Sequence, residues 1–202
     1  MSDNIYDIPA DLLAKAEQSQ SFKLRIPDTA RRHRRDPKTF FWPEGGVITS
    51  GSSGSYAIQE PNEGAGQHVS TLELNIEVNA EGSGLNTNQP LTTTFRINYD
   101  SLKNGEPKKQ QTMSLMSINK LRKLFSILGI EGDLQGGGFS TNLLTHYFPP
   151  ATDQFPTETS PLVGTGLYFE VKQGPRELPD GSIRENPEVN AFLSESEFTG
   201  GK

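Results

Sequence analysis

The hydrophobic residues of this chain keep a helical period most clearly between Ser117 and Ile130. Their spacing of three and four residues forms one apolar stripe, made of Ile118, Leu121, Leu124, Phe125 and Leu128. Ser117 is suited to cap the first turn, and Gly129 is suited to the left-handed residue that ends a helix. Because an isolated helix of this length is marginal in water, the pattern predicts one amphipathic helix that packs on the rest of the chain.

Alternating apolar and polar residues predict strands on both sides of this helix. Residues 71–78 and 91–99 precede it, and residues 162–172 and 188–193 follow it. In the strand that follows the helix, the side chains predicted to face outward are Tyr168, Glu170 and Lys172. The core predicted from both periods consists of Leu72, Leu74, Ile76, Val78, Phe95, Ile97, Leu121, Phe125, Leu128, Leu167, Phe169 and Val171.

A segment rich in Gly and Ser precedes these strands. It predicts two short strands, Val47–Ser50 and Tyr56–Gln59, with a turn at Gly51–Gly54 between them. Pro179–Ser182 predicts a further turn before the last strand. The basic polar stretch Ser101–Gln111 predicts a loop that leads into the helix.

The order of strands, one helix and a strand hairpin predicts a mainly β protein, with an OB-fold-like five-stranded barrel and one helix between its third and fourth strands. Residues 46–193 are assigned to this domain. Residues 1–45 are predicted to be an N-terminal arm with a short helix at Pro9–Gln18, and residues 194–202 a disordered tail. Residues 131–161 are predicted to be a flexible insert, because structureless loops of this length are unusual within a compact domain.

The composition excludes cysteine chemistry and indicates a modest core. The 202 residues are 32% hydrophobic and include 20 Gly, 14 Pro and no Cys. Disulfides and thiolate-bound metals are therefore excluded. No apolar run approaches the roughly 20 residues that span a bilayer, and the N-terminus has no apolar signal segment. We therefore expect no membrane partner and a location in the cytoplasm, which is the host-cell cytoplasm if a phage encodes the protein.

Charge is distributed unevenly along the chain. The net charge is -6, yet residues 95–130 carry seven Lys or Arg against two acidic residues, a net charge of +5. Residues 131–202 carry four basic and eleven acidic residues, a net charge of -7. This asymmetry favours a basic binding surface in the middle of an acidic protein. The alternative is ordinary surface charge that keeps the protein in solution.

Cations beside aromatic rings are the candidate nucleic-acid contacts, because basic side chains follow phosphates while rings stack on bases. An arginine cluster lies just before Phe40–Trp42, although packing against the core is the preferred explanation for these aromatics. For Tyr168 the alternative is a strand-surface ring covered by the arm. The full set of predicted contacts is Arg31, Arg32, Arg34, Arg35, Arg96, Lys103, Lys108, Lys109, Tyr168 and Lys172.

Residue patterns for catalysis or metal binding are not found in the sequence. The three histidines, His33, His68 and His146, lie in separate segments without metal-ligand spacing. The Gly-x-Ser-x-Gly motif of hydrolases does not occur. Glu73 and Glu77 share one face of a predicted strand, where solvated carboxylates are far commoner than a cation site. We therefore expect a protein that is not an enzyme and uses no metal or cofactor.

Three short features together resemble a known family. Leu128-Gly129-Ile130 ends the predicted helix, Leu162-Val163-Gly164 begins the next strand, and Asn186 or Asn190 opens the last one. In these features residues 46–193 resemble the OB-fold single-stranded-DNA-binding proteins that phages encode for replication and recombination. The resemblance implies sequence-independent binding of single-stranded DNA. It also implies that the acidic C-terminal part recruits replication or recombination proteins.

A protein-interaction module without nucleic-acid binding is the alternative function. Such a module would be a virion component, an accessory of a replication enzyme or an inhibitor of a host protein. The net charge of -6, the arm and the insert favour it. The same segments could wrap a second copy in a homo-oligomer. A mimic of double-stranded DNA is disfavoured by the basic middle of the chain.

Overall fold

The structure is a computed structural model that describes residues 5–19, 40–41, 45–59, 64–78, 91–151, 159–177 and 183–199. Its helices are α1 (Ala10–Ser19), α2 (Tyr99–Asn104), α3 (Lys108–Ile127), α4 (Thr141–Tyr147) and α5 (Glu195–Thr199). Its strands are β1 (Phe40–Phe41), β2 (Gly46–Ala57), β3 (His68–Val78), β4 (Leu91–Ile97), β5 (Gly166–Glu177) and β6 (Ile183–Leu193).

The strands form an open sheet in the order β1-β5-β2-β3-β4, with β6 also paired to β5. Strand β5 runs antiparallel to β1, β2 and β6. The β5–β6 hairpin extends from Tyr168 opposite Leu193 to Glu177 opposite Ile183. A strand-rich sheet with strands before and after the main helix is therefore confirmed, within a mixed structure of strands and helices. Among the described residues the pairings do not close the sheet into a barrel.

Two compact units make up the chain. The first, here called the helical unit, comprises Met1–Lys23, Ser50–Leu74 and Thr94–Val163. The second, here called the hairpin unit, comprises Leu24–Thr49, Asn75–Thr93 and Gly164–Lys202.

Aromatic rings fill the centre of the helical unit. Phe125 of α3 is fully buried, with the ring of Phe139 at 4.9 Å and that of Phe148 at 6.3 Å. Phe148 in turn lies 6.1 Å from Phe95 of β4. These edge-on and stacked contacts bury four phenylalanine rings around one helix. The helical period of the sequence therefore marks the face of α3 on which this unit is built.

Residues 5–19 belong to this core, although the sequence placed them in an arm. Ile8 pairs with Phe139 through two backbone hydrogen bonds of 2.7 Å. Leu13 and Ala16 are buried on the face of α1, which contacts α3. The predicted helix in this segment, Pro9–Gln18, agrees with α1. Residues 20–39 of the predicted arm lie outside the described part of the chain, and the domain boundaries themselves stay a prediction.

The hairpin unit has a smaller aliphatic and aromatic core. Its buried apolar side chains among the described residues are Ile48, Ile76, Leu91, Leu167, Phe169, Val171, Val189, Phe192 and Leu193. Gly46 is required by close packing, since a Cβ there would lie 2.7 Å from both the Glu77 carbonyl oxygen and the Ile76 side chain. Of the predicted core residues in the two units, Leu128 is only half-buried, and the side chain of Val78 lies outside the described part of the chain.

Several local predictions are corrected by the structure. The main helix begins at Lys108 rather than Ser117, so Lys108 and Lys109 lie in its first turn and not in a loop. The strand 91–99 ends at Ile97, because the Asn98 side chain accepts the Ser101 N–H at 2.9 Å and starts α2. Tyr99 therefore lies in α2 and not in the strand. Its hydroxyl donates to the Tyr6 carbonyl oxygen at 2.6 Å, and burial raises its pKa above the usual value.

Glycine-rich segments were also misinterpreted. The two short strands are one continuous β2 without a turn at Gly51, where a Cβ would lie 2.8 Å from the Ser160 Oγ. The glycine there permits close approach of a distant segment and does not make a turn. The predicted structureless insert contains α4, capped by Ser140 accepting from the Leu143 N–H at 3.0 Å. Part of the predicted disordered tail forms α5.

Candidate nucleic-acid interface

Two serine side chains hold strand β4 beside helix α3. The Arg96 N–H donates to the Ser117 Oγ at 3.0 Å, and the Asn98 N–H donates to the Ser114 Oγ at 2.9 Å. Because β4 is the last strand in the sheet order, these N–H groups point away from its neighbour and would otherwise need another partner. The serines thus cover the C-terminal end of the β4 edge and fix the backbone of Arg96 against α3, while the Arg96 side chain is exposed.

A tightly bonded connection joins β4 to α3 through α2. Gly105 adopts the left-handed conformation, with φ 78°, and its N–H donates to the Ser101 carbonyl oxygen at 2.8 Å. The Ser101 Oγ donates to the Pro107 carbonyl oxygen at 3.0 Å. The Glu106 carboxylate accepts the Lys108 N–H at 3.1 Å, which satisfies one free N–H of the first turn of α3. Exposed Lys103 therefore lies on a fixed segment directly before α3.

Helix α3 carries basic residues in its first turn and again between Lys120 and Lys123. Its 20 residues include five Lys or Arg and no Asp or Glu. Exposed Lys108 and Lys109 lie in the first turn, at the positive end of the helix dipole, where a cation is unfavourable by about 0.3–1 kcal/mol. These two lysines therefore do not serve the stability of the helix. Their position instead adds the dipole field to their own charge, which attracts anions.

The outer face of α3 combines lysine with methionine. We call it the lysine–methionine face, and it comprises Lys109, Met113, Met116, Lys120 and Lys123. Steps of three and four residues place these side chains in one line along the helix. Met113 is 40% exposed and Met116 is 56% exposed. The face opposite to Phe125 is thus cationic and partly apolar at once.

Arg122 of α3 forms an ion pair with α1. Its Nη2 lies 3.0 Å from the Glu17 Oε1, and its Nε donates to the Asn119 Oδ1 at 3.2 Å. The pair borders a groove of about 490 Å³ between α1, the end of α3 and the Gly136–Gly137 turn. Since Glu17 is 62% exposed, this surface pair stabilises the fold by only about 0–1 kcal/mol. Arg122 is therefore assigned to the contact between α1 and α3.

The predicted contacts in the hairpin unit have different surroundings. The Tyr168 ring is half-buried and stacks on Phe198 of α5, with ring centroids 4.5 Å apart and planes 18° apart. A base could stack on that side only after Phe198 had moved. Glu170, predicted to face outward on the same side of β5, is buried. The predicted outward face of β5 is therefore covered around these residues.

The remaining predicted contacts lie partly or wholly outside the described residues. Lys172 pairs with Phe40 in the backbone register of β5 and β1, while its side chain lies outside the described part of the chain. The arginine cluster lies outside the described residues as a whole, and comprises Arg31, Arg32, Arg34 and Arg35. The structure thus gathers four predicted contacts in the helical unit, namely Arg96, Lys103, Lys108 and Lys109.

Met113 and Met116 are surface residues that the sequence interpretation missed. The signal that could have found them is the helical period itself, extended upstream through buried Leu115 and Ser114 to Pro107. A proline is a common residue at the beginning of a helix, and it marks the start of α3 here. With that start, both methionines fall opposite the apolar stripe.

No family model, curated protein or solved structure matches this chain. Within the described ranges, no helix has the combined length and apolar character that crossing a bilayer demands.

Proposed function

We propose that this protein binds single-stranded nucleic acid without sequence preference, and that its ligand is single-stranded DNA in replication or recombination. The observation that carries the proposal is α3, a helix of 20 residues with five basic side chains and no acidic one in a chain of net charge -6. A chain that is acidic overall and concentrates cations on one element has a surface suited to a polyanion.

The contacts in this proposal are Arg96, Lys103, Lys108 and Lys109, together with the lysines of the lysine–methionine face. All four of the first group are exposed, and the backbone bonds to Ser114, Ser117 and Ser101 hold the elements that carry them. Side chains on fixed elements lose less conformational freedom on binding than those on mobile loops. The predicted contribution of the arginine cluster before Phe40 belongs to the same proposal.

The order of the elements supports the proposal independently of charge. Three long strands, a helical segment and a strand hairpin follow one another as in an OB-fold, a fold that commonly binds oligonucleotides. The family resemblance in residues 46–193 favours the same assignment. We extend the proposal to the acidic C-terminal part as the region that contacts replication or recombination proteins.

The salt dependence of binding to a labelled homopolymer oligonucleotide tests the function. Each phosphate neutralised on a single strand changes the slope of log affinity against log salt by about -0.7. Replacing Lys108 and Lys109 by Ala should therefore flatten the slope by roughly 1–1.5 and weaken binding equally for different base sequences. Lys15→Ala, at an exposed position of α1, is the matched control for Lys109→Ala and should leave the slope unchanged. If the wild type binds no oligonucleotide at about 50 mM salt, where such contacts are strong, the proposal is wrong.

A protein-interaction module is the second candidate, and the exposed methionines favour it. Flexible thioether side chains on a surface are frequent in interfaces that accept several partners. This function predicts no oligonucleotide binding by the wild type at any salt concentration. The same titration therefore separates the two candidates.

A further inference from the structure

We propose that Met113 and Met116 form the surface against which the bases of the bound single strand lie, while the flanking lysines hold its phosphates. This inference rests on the proposed function. It assigns the apolar part of the interface to two side chains of α3 and not to an aromatic ring.

Exposure is the first observation behind this assignment. Met113 and Met116 are 40% and 56% exposed, one helical turn apart on the same face. Neither side chain belongs to the core beneath α3, which is built from the opposite face by Ile118, Leu121 and Phe125. Two adjacent apolar side chains on the solvent face of a basic helix are available to a ligand.

The charges beside the methionines identify the kind of ligand. Lys109 lies one turn before Met113, and Lys120 lies one turn after Met116. These two lysines are about 16 Å apart along the helix axis, with the methionines between them. An apolar patch bordered by cations at both ends is complementary to a strand whose bases are apolar and whose backbone is anionic.

The aromatic rings of α3 and β5 are covered, while the exposed rings of Tyr6 and Tyr56 lie on other segments of the chain. Phe125, the aromatic residue of α3, is fully buried, and Tyr168 of β5 is stacked on Phe198. A methionine sulfur makes favourable contacts with aromatic rings and its flexible chain adapts to different ring shapes. Contact through methionine therefore suits binding that does not depend on base sequence.

Glutamine substitution tests the assignment, because Met113→Gln with Met116→Gln keeps side-chain length and helix propensity without adding charge. The double variant should bind a homopolymer oligonucleotide roughly 10-fold more weakly, from two lost sulfur–ring contacts. Its salt slope should equal that of the wild type, because methionine releases no counterions. Val163→Thr, which changes a residue that is 40% exposed elsewhere in the helical unit, is the matched control and should bind as the wild type does.

Peroxide oxidation followed by mass spectrometry gives an independent readout on the unmodified protein. The rates for Met113 and Met116 in the protein without oligonucleotide serve as the reference. A saturating oligonucleotide should slow oxidation of both methionines relative to those rates. If the wild type binds but the glutamine variant binds equally well and neither methionine is protected, the inference is wrong and the proposed function stands. If the wild type does not bind at all, the proposed function fails first, and the inference fails with it.

Discussion

The outer face of α3 and the outer face of β5 were both predicted to contact nucleic acid, and they differ in what covers them. On α3, exposed lysines and methionines lie opposite a buried aromatic cluster. On β5, Phe198 of the C-terminal helix stacks on Tyr168, and Glu170 is buried. Periodicity predicts the direction of a side chain, but distant parts of the chain decide whether that direction is open to a ligand.

Among the substitutions in and around α3, removal of the Phe125 ring should have the largest effect on stability. The ring is fully buried and contacts Phe139 at 4.9 Å, so Phe125→Ala should lower the free energy of unfolding by about 3–5 kcal/mol. Chemical denaturation measures this change, and Phe125→Leu should cost clearly less because it leaves a smaller cavity. An unchanged transition midpoint for Phe125→Ala would show that α3 does not pack in the core, and would contradict the description of its two faces.

The serines between β4 and α3 provide a graded test of how firmly the basic surface is held. Ser114→Ala leaves the buried N–H of Asn98 without its partner and should cost about 1–3 kcal/mol. Ser117→Ala should cost less, because the Arg96 N–H is at an exposed position where water can replace the hydroxyl. Ser126→Ala, on an exposed part of α3, is the control for helix propensity. Equal unfolding free energies for Ser114→Ala and Ser126→Ala would contradict the role of the edge contact.

The covered ring of Tyr168 makes a prediction about binding. Tyr168→Ala alone should change oligonucleotide affinity little, since Phe198 occupies one side of the ring. Phe198→Ala should itself cost about 0.5–1.5 kcal/mol of stability, because the ring pair is lost. The sharper comparison of oligonucleotide affinity is between Phe198→Ala and the double variant Phe198→Ala, Tyr168→Ala, in which Phe198 no longer covers the ring that is removed. A large affinity loss from Tyr168→Ala in the otherwise unchanged protein would show that β5, and not only α3, contacts the strand.

The smallest expected effect is the pH dependence of the α4 cap. The Asp133 carboxylate accepts from the Ser140 hydroxyl and from the Ser140 N–H, and these bonds hold its pKa below the usual value. A pKa that is lower in the folded state gives stability that is present above the unfolded value of about 3.9 and is lost as the pH falls through the folded value. The difference in stability between wild type and Asp133→Asn should therefore be constant near neutrality and shrink in acid. A difference that grows in acid would contradict this sign.

The sequence was sufficient for features set by local period and composition. The buried stripe of α3, the strands around Leu74 and Phe169 and the basic middle of the chain each follow from residues close in sequence. The beginning of α3 was missed because Ser117 resembles a cap, whereas its hydroxyl accepts from Arg96, 21 residues earlier. A bond of that span leaves no local signal.

Long-range contacts also account for the other errors. Gly51 looks like a turn residue, but the segment around Ser160 approaches it closely. Tyr168 looks like an open ring, but Phe198 is 30 residues further along the chain. The cations of the candidate site could be counted from the sequence, whereas the exposure of Met113 and Met116 depends on where α3 begins and on what it packs against.

Hydrogen–deuterium exchange with and without a homopolymer oligonucleotide compares the two faces in one experiment. If α3 carries the binding surface, peptides that cover residues 94–123 should exchange more slowly in the complex, while peptides that cover β5 and β6 should be unchanged. The Lys108→Ala, Lys109→Ala variant should lose much of this protection at the same oligonucleotide concentration. Protection confined to β5 and β6, or no protection in α3 at saturating oligonucleotide, would contradict the assignment of nucleic-acid binding to the basic helix.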